Sequence, residues 1–320
     1  MKNRFLSFFI LLFIISGCGN SDSTKQGDII IFHAGSLSVP FNELKQIYEK
    51  QNPSVRILLE PAGSLVCARK ITELKKPCDI MASADYFVID QLLIPEYSEW
   101  SIRFATNEIV VAFNEKSAYS GEITSENWID ILQKEDVIYG RADPDNDPCG
   151  YRTIMTFMLA ENYYNRKGVS DSFITKNKDF VRPKEVDLIA LMEANAIDYM
   201  FQYKSVAIQH GLKFIELPDE INLGNQSMAQ LYGTVNVDVT GDKPGTRIKV
   251  TGEFINYSLT ILRDAPNSKN ATAFVSFLLS KEGMDVFRKN GQEPVIPFYT
   301  DQPEKIPAEL LKYFSDNKND

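Results

Sequence analysis

An α/β fold in two lobes, with a ligand cleft between them, is the architecture this sequence predicts. Three observations carry it. Short apolar runs alternate with segments of helical periodicity along most of the chain. The tetrapeptide Ala-Gly-Ser-Leu occurs twice, at 34–37 and 62–65, each time between a strand-like run and a helix-like one. Finally, 320 residues with 44% hydrophobic content can fill two packed cores more readily than one.

Taken in order, 28–33 (Asp-Ile-Ile-Ile-Phe-His) reads as a buried strand. The first Ala-Gly-Ser-Leu turn follows, then Phe41, Leu44, Ile47 and Tyr48 at helical spacing. A second unit repeats the plan, with a strand over 55–60, the second turn, and a helix carrying Leu65, Ala68, Ile71 and Leu74. A third strand at 79–82 leads through Ser83, Ala84 and Asp85 to another helix, so the sheet is expected to be largely parallel. The next strand is 108–113. Beyond it the pattern predicts a helix over 127–132, a strand at 137–139 and a long helix over 151–164 with Ile154, Met155, Met158 and Leu159 on its apolar side. A helix over 185–194 and a strand over 197–201 come next. Extended stretches at 235–239 and 247–262 are joined by a link rich in Gly and Pro. Helices are expected over 271–279, 281–290 and 307–314, the last opened by Pro307. The corresponding domains are a first lobe at 28–112, a second at 113–256, and a return to the first with C-terminal helices at 257–320. Ligands in such folds sit in the cleft beyond the carboxyl ends of the strands.

The N-terminus has a different character. Lys2 and Arg4 precede an apolar run from Phe5 to Ile15, then Ser16 and Gly17 before Cys18. This reads as a secretory signal over 1–17, too short for a membrane span. Ile15-Ser16-Gly17-Cys18 resembles a bacterial lipobox, which makes Cys18 the lipidated first residue of the mature chain and 18–27 a flexible tether. The protein is therefore expected outside the cytoplasm, anchored to a membrane. The formal net charge is −9, and the leader carries only positive charge, so the mature chain is more acidic still. Nucleic acid is an improbable partner for it. In an oxidising compartment Cys67 and Cys78 could pair as a disulfide, leaving Cys149 single. With His33 and His210 the only histidines, a His-rich zinc site is not expected.

Both Ala-Gly-Ser-Leu turns put small residues at a helix start, where glycine admits close approach and free amides and the helix dipole favour an anion. Ser36 and Ser64 are the hydroxyls there; the plainer alternative is that each caps its own helix. Two matching turns in one lobe favour a shared oxyanion seat. Asp147, before Pro148-Cys149-Gly150, and Glu185, after Pro183-Lys184, also stand at helix mouths. They could be caps, or as a pair they could hold a cation. Tyr203 ends a strand, and its spacing alone does not separate packing from a site role.

The motifs Phe32-His-Ala-Gly-Ser-Leu37, Ala62-Gly-Ser64, Asp79-Ile-Met-Ala-Ser-Ala-Asp-Tyr86, Asn127-Trp128, Asp147-Pro-Cys-Gly-Tyr-Arg152, Tyr203-Lys-Ser205, Gln209-His-Gly211, Glu216-Leu-Pro218 and Gln292-Glu-Pro294 span almost the whole mature chain. In this order they resemble the extracytoplasmic tungstate/molybdate-binding proteins of ABC transporters, in the tungstate-type branch. The resemblance implies a type II periplasmic-binding-protein fold whose lobes close over the ligand. It also implies an oxyanion held by Ser36, Ser64, the backbone amide of Cys149 and Tyr203. Asp147 and Glu185 match the two carboxylates that the tungstate-type branch directs at the metal centre; Glu185 is located by aligning backward from Tyr203. Tungsten and molybdenum can accept further hard oxygen ligands, toward about six, which sulfate and phosphate cannot. The expected protein is thus a monomeric binding lipoprotein without a cofactor, not an enzyme, that captures tungstate or molybdate and delivers it to an ABC permease. The competing readings are an enzyme using Cys149 as nucleophile with His33 as base, and a binding protein for another ligand, whether sulfate, phosphate or a cation held by Asp147, Glu185 and Asp85.

Overall fold

The computed structural model describes residues 27–314 other than 242 and 244. The signal segment 1–17, Cys18 and nearly all of the tether lie outside the described residues. Among those described, no helix is long and apolar enough to cross a membrane.

Among the described residues, thirteen strands are distributed over two main sheets and a ribbon. The first sheet contains β1 (Asp28–Ala34), β2 (Arg56–Ala62), β3 (Ile80–Ser83) and β4 (Ile102–Thr106). The second contains β5 (Ile109–Phe113), β6 (Tyr139–Ala142), β7 (Val181–Arg182), β8 (Tyr199–Tyr203) and β9 (Lys213–Glu216). A ribbon of β10 (Asn236–Thr240) and β11 (Arg247–Thr251) follows. The chain then returns to the first sheet with β12 (Asn256–Ile261) and β13 (Glu293–Tyr299). The strand orders are β13-β4-β12-β3-β1-β2 and β7-β6-β8-β5-β9.

The first sheet is less parallel than expected. β1 pairs in parallel with β2 and β3, but β12 and β13 run antiparallel to their neighbours. The second sheet likewise joins parallel β6–β7 and β6–β8 pairs to antiparallel β5. The cause lies in the connections. β5 and β12 enter their sheets directly from the segments that cross between lobes, without the helical crossover that makes successive strands parallel. The first crossing is at 107–108, since β5 already pairs with β8 and β9, so the strand assigned to the first lobe by the 28–112 boundary lies in the second sheet.

β1 is buried along its whole length, as its unbroken apolar run requires. In the second lobe Phe157 meets Phe201 edge-on at 4.7 Å, and Trp128 stacks on Phe173 at 5.4 Å. Such pairs contribute about 0.5–1.5 kcal/mol beyond area burial. They lock the helix Pro148–Tyr163 onto β8 and so fix Asp147 relative to Tyr203. Leu74, expected on a buried face, lies past the end of helix Ser64–Thr72 and is exposed. The segment opened by Pro307 is a 3-10 helix, Ala308–Tyr313.

Candidate functional site

The parallel register of β1 with β2 and β3 brings both Ala-Gly-Ser-Leu turns to one edge of the first sheet, with Ala34 opposite Ala62 and His33 opposite Ala82. Neither serine caps its own helix. Ser36, in the 3-10 turn Gly35–Leu37, accepts a hydrogen bond at Oγ from the Tyr257 hydroxyl at 2.9 Å. Its carbonyl accepts from Gln292 Nε2 at 3.2 Å. Ser64 opens helix Ser64–Thr72, and its Oγ accepts from the Ala84 amide at 3.1 Å. Both serines are fully buried.

The facing lobe supplies the acids. Asp147 caps helix Pro148–Tyr163 through Oδ1, which accepts from the Cys149 amide at 2.8 Å, and its Oδ2 accepts from the Glu185 amide at 3.0 Å. One carboxylate therefore spans two helix mouths. The Cys149 amide, expected to face an anion, is engaged by this carboxylate. Glu185 sits in the turn before helix Asp187–Glu193 and does not cap it. Gln202 ties the segment to β8, donating from Nε2 to the Glu185 carbonyl at 3.0 Å and accepting from the Tyr203 amide at 2.8 Å.

Glu185 is 1% exposed, and neither of its carboxylate oxygens has a hydrogen-bond partner in the protein. The Tyr203 hydroxyl, also buried, has none either. Buried polar atoms are almost always paired, so the unsatisfied oxygens of Glu185, with the Asp147 carboxyl and the Ser36 hydroxyl as polar neighbours, and that of Tyr203 mark where a ligand belongs. Burial first, then the Asp147 charge, pushes the Glu185 carboxyl well above its usual range; burial also raises Asp147, against hydrogen bonds that lower it. Glycine is required on the opposite wall. A Cβ on Gly35 would lie 2.9 Å from both Glu185 oxygens, and one on Gly63 would lie 2.2 Å from the Asn146 carbonyl oxygen.

These contacts cross between the lobes, as do two others. Arg69 reaches the Asp145 carbonyl at 3.1 Å and Asn146 Oδ1 at 2.6 Å. Asp85 Oδ2, in the first lobe, accepts from the Tyr151 hydroxyl at 2.6 Å and from Arg152 Nε and Nη2 at 3.1 and 2.5 Å. All three side chains are buried, and Arg152 also donates to the Glu253 carbonyl at 2.6 Å.

This clasp takes Asp85 out of any cation site with Asp147 and Glu185, and no metal-holding group of His, Cys, Asp or Glu is present among the described residues. The enzyme reading fares no better. Burial and the two nearby acids push the Cys149 thiol far up, and burial lowers His33 to about 4 while its ring stacks on Phe41 at 5.2 Å. The Cys67–Cys78 disulfide is not formed: both thiols are free and buried, Cys67 Sγ donating to the His33 carbonyl at 3.6 Å and Cys78 Sγ to the Ile80 carbonyl at 3.1 Å. The sequence does not single out Tyr257, Asn107, Gln202 or Gln292 as site residues; Gln202 adjoins Tyr203, while the other three join the site through contacts distant in sequence.

Residues 29–293 match the family of bacterial extracellular solute-binding proteins. An uncharacterized solute-binding protein of Petrotoga mobilis is 44% identical over the full length of both chains. The molybdate/tungstate-binding protein WtpA of Pyrococcus abyssi is 39% identical, with 92% of this chain and 94% of that protein covered. The WtpA of Thermococcus kodakarensis is 40% identical, with 94% of each covered. Among solved structures, the periplasmic molybdate-binding protein of Azotobacter vinelandii superposes with a TM-score of 0.61 at 13% identity, covering 84% of this chain and 99% of that one. Its likeness supports a type II periplasmic-binding fold. The chain belongs to the bacterial extracellular solute-binding protein family and groups within it with the molybdate/tungstate-binding proteins.

Proposed function

We propose that the protein captures tungstate or molybdate outside the cytoplasm and delivers it to an ABC permease, with Cys18 as its lipid anchor and a monomer as its working form. The observation that carries this reading is Glu185: a buried carboxylate with two unpartnered oxygens, next to Asp147 and facing the glycine-serine turn of the other lobe. A site for sulfate or phosphate gains nothing from such a group, because a carboxylate only repels an anion whose central atom cannot take another ligand. Tungsten and molybdenum can take it, and hard carboxylate oxygens suit them. The same two acids thus attract one class of oxyanion and reject the other.

Ser36, Ser64 and the Tyr203 hydroxyl supply donors to the anion's own oxygens. As Asp147 turns toward the metal centre, the Cys149 amide it now holds becomes free to donate as well. The helix starting at Pro148 offsets part of the cost of burying negative charge at its N-terminus. Calorimetric titration of the chain begun after Cys18 tests the reading. Tungstate and molybdate should bind tightly and sulfate should give no heat; equal binding of sulfate, or no binding of any oxyanion, would sink it.

A further inference from the structure

We propose that Asn107 and Tyr257 fix the direction of the Ser36 hydroxyl proton through a hydrogen-bond chain running from the hinge, so that Ser36 meets the anion as a donor. The proposal rests on the oxyanion reading of the site and makes both residues positioning residues for it.

The chain starts where the polypeptide crosses between the lobes. Asn107 lies between β4 and β5, and its Oδ1 accepts from two backbone amides, Glu108 at 3.0 Å and Ser205 at 3.3 Å. Backbone amides can only donate, so the side-chain amide has one possible orientation, with Nδ2 on the other side. Nδ2 donates to Ser205 Oγ at 2.7 Å and to the Tyr257 hydroxyl oxygen at 3.1 Å, using both its protons.

Tyr257 therefore receives a hydrogen bond from a group that cannot accept one. Its single proton goes to its remaining partner, Ser36 Oγ, at 2.9 Å. Ser36 in turn accepts from Tyr257 and must point its own proton elsewhere. The opposite wall of its turn is the Glu185 carboxylate, beside which the anion is held. Every member of this chain is buried, so water does not scramble the order, and burial keeps the Tyr257 phenol protonated by raising it well above its usual range. The bond from Tyr257 occupies one of the two Ser36 lone pairs and keeps the Ser36 proton off the Tyr257 oxygen, which favours presenting that proton to an anion in the cleft.

The chain also has a mechanical consequence. It joins Ser36 of the first lobe to Ser205 of the second, two residues past Tyr203, through the crossing segment itself. The donor direction thus depends on Asn107 of the crossing segment as well as on Tyr257 of the first lobe.

Asn107→Asp tests the idea because it is isosteric and keeps the Oδ1 contacts while replacing the donor with an acceptor. Tyr257 then gives its proton to the carboxylate, and Ser36 must give its own to Tyr257. Tungstate affinity is expected to fall about tenfold to a hundredfold, the effect of losing one hydrogen bond to a charged group. In a Tyr257→Phe background the same substitution should cost at least about fivefold less, the remainder being the through-space effect of the added charge. An equal cost in both backgrounds, or wild-type affinity in Asn107→Asp, overturns the relay. Failure of the unsubstituted protein to bind any oxyanion overturns the functional reading and the relay with it, so the two failures are told apart by the wild-type titration. If Asn107→Asp does not fold, neutron diffraction from the deuterated wild type decides: a deuteron on Tyr257 directed at Ser36 supports the relay, and one directed at Asn107 overturns it.

Discussion

Replacing Glu185 by glutamine should make the ligand-free protein more stable while weakening its hold on tungstate. Both carboxylate oxygens of Glu185 are buried without a hydrogen bond, and the Asp147 carboxylate lies beside them. At neutral pH a carboxyl here carries a cost either as a buried charge or as a proton held against solution, and glutamine carries neither, so the substitution should return about 1–3 kcal/mol. For a chain of this size that corresponds to roughly 2–4 °C in Tm per kcal/mol. The sign with pH follows from the raised carboxyl. Between the ordinary carboxylate range and the raised one, the folded state binds more protons than the unfolded chain, so stability is full in acid and falls as pH rises through the raised value. The variant lacks the Glu185 share of that slope, so the two proteins should converge in mild acid and separate as pH rises. Thermal unfolding from mild acid to mildly alkaline pH, with and without tungstate, measures all of this. A ligand-free variant that melts below wild type at neutral pH, or a gap that ignores pH, refutes the reasoning.

Asp85→Asn should destabilise the protein by about 3–5 kcal/mol in urea unfolding, since it leaves the buried Arg152 guanidinium without its countercharge. Gly63→Ala should leave thermal stability nearly intact but weaken tungstate binding by about tenfold or more, because a Cβ 2.2 Å from the Asn146 oxygen makes the closed arrangement a minor population; small-angle scattering with tungstate should show a larger radius than wild type. The chain begun after Cys18 should give three titratable thiols when unfolded and almost none when native, as Cys67, Cys78 and Cys149 are free and buried; one thiol on unfolding would restore the disulfide.

The sequence exposes those parts of the site that are local. The Gly-Ser turns at 35–36 and 63–64 announce themselves because strand, turn and helix are adjacent in the chain, and Asp147 is marked by the Pro148 that follows it. The hydroxyl of Tyr257 and the amide of Asn107 carry no local signal: Tyr257 is one strand residue among several, and its partner Ser36 is 221 positions away. The Asp85–Arg152 clasp is hidden for the same reason, 67 positions apart and on different lobes. Among the strands, β13 is illegible because Pro294 and Pro297 argue against a strand; both are tolerated since β13 is the edge of its sheet. The antiparallel entry of β5 and β12 depends on where the chain changes lobes, which alternation of apolar runs does not encode.

The claim on which the rest depends is that Asp147 and Glu185 bind the metal centre of the anion itself. X-ray absorption at the tungsten edge of the tungstate complex reads the coordination number directly. The account predicts about six oxygens around tungsten in the wild-type protein, with a lower number in Glu185→Gln. A tetrahedral spectrum matching free tungstate in both proteins would contradict it and reduce the two acids to caps of their helices.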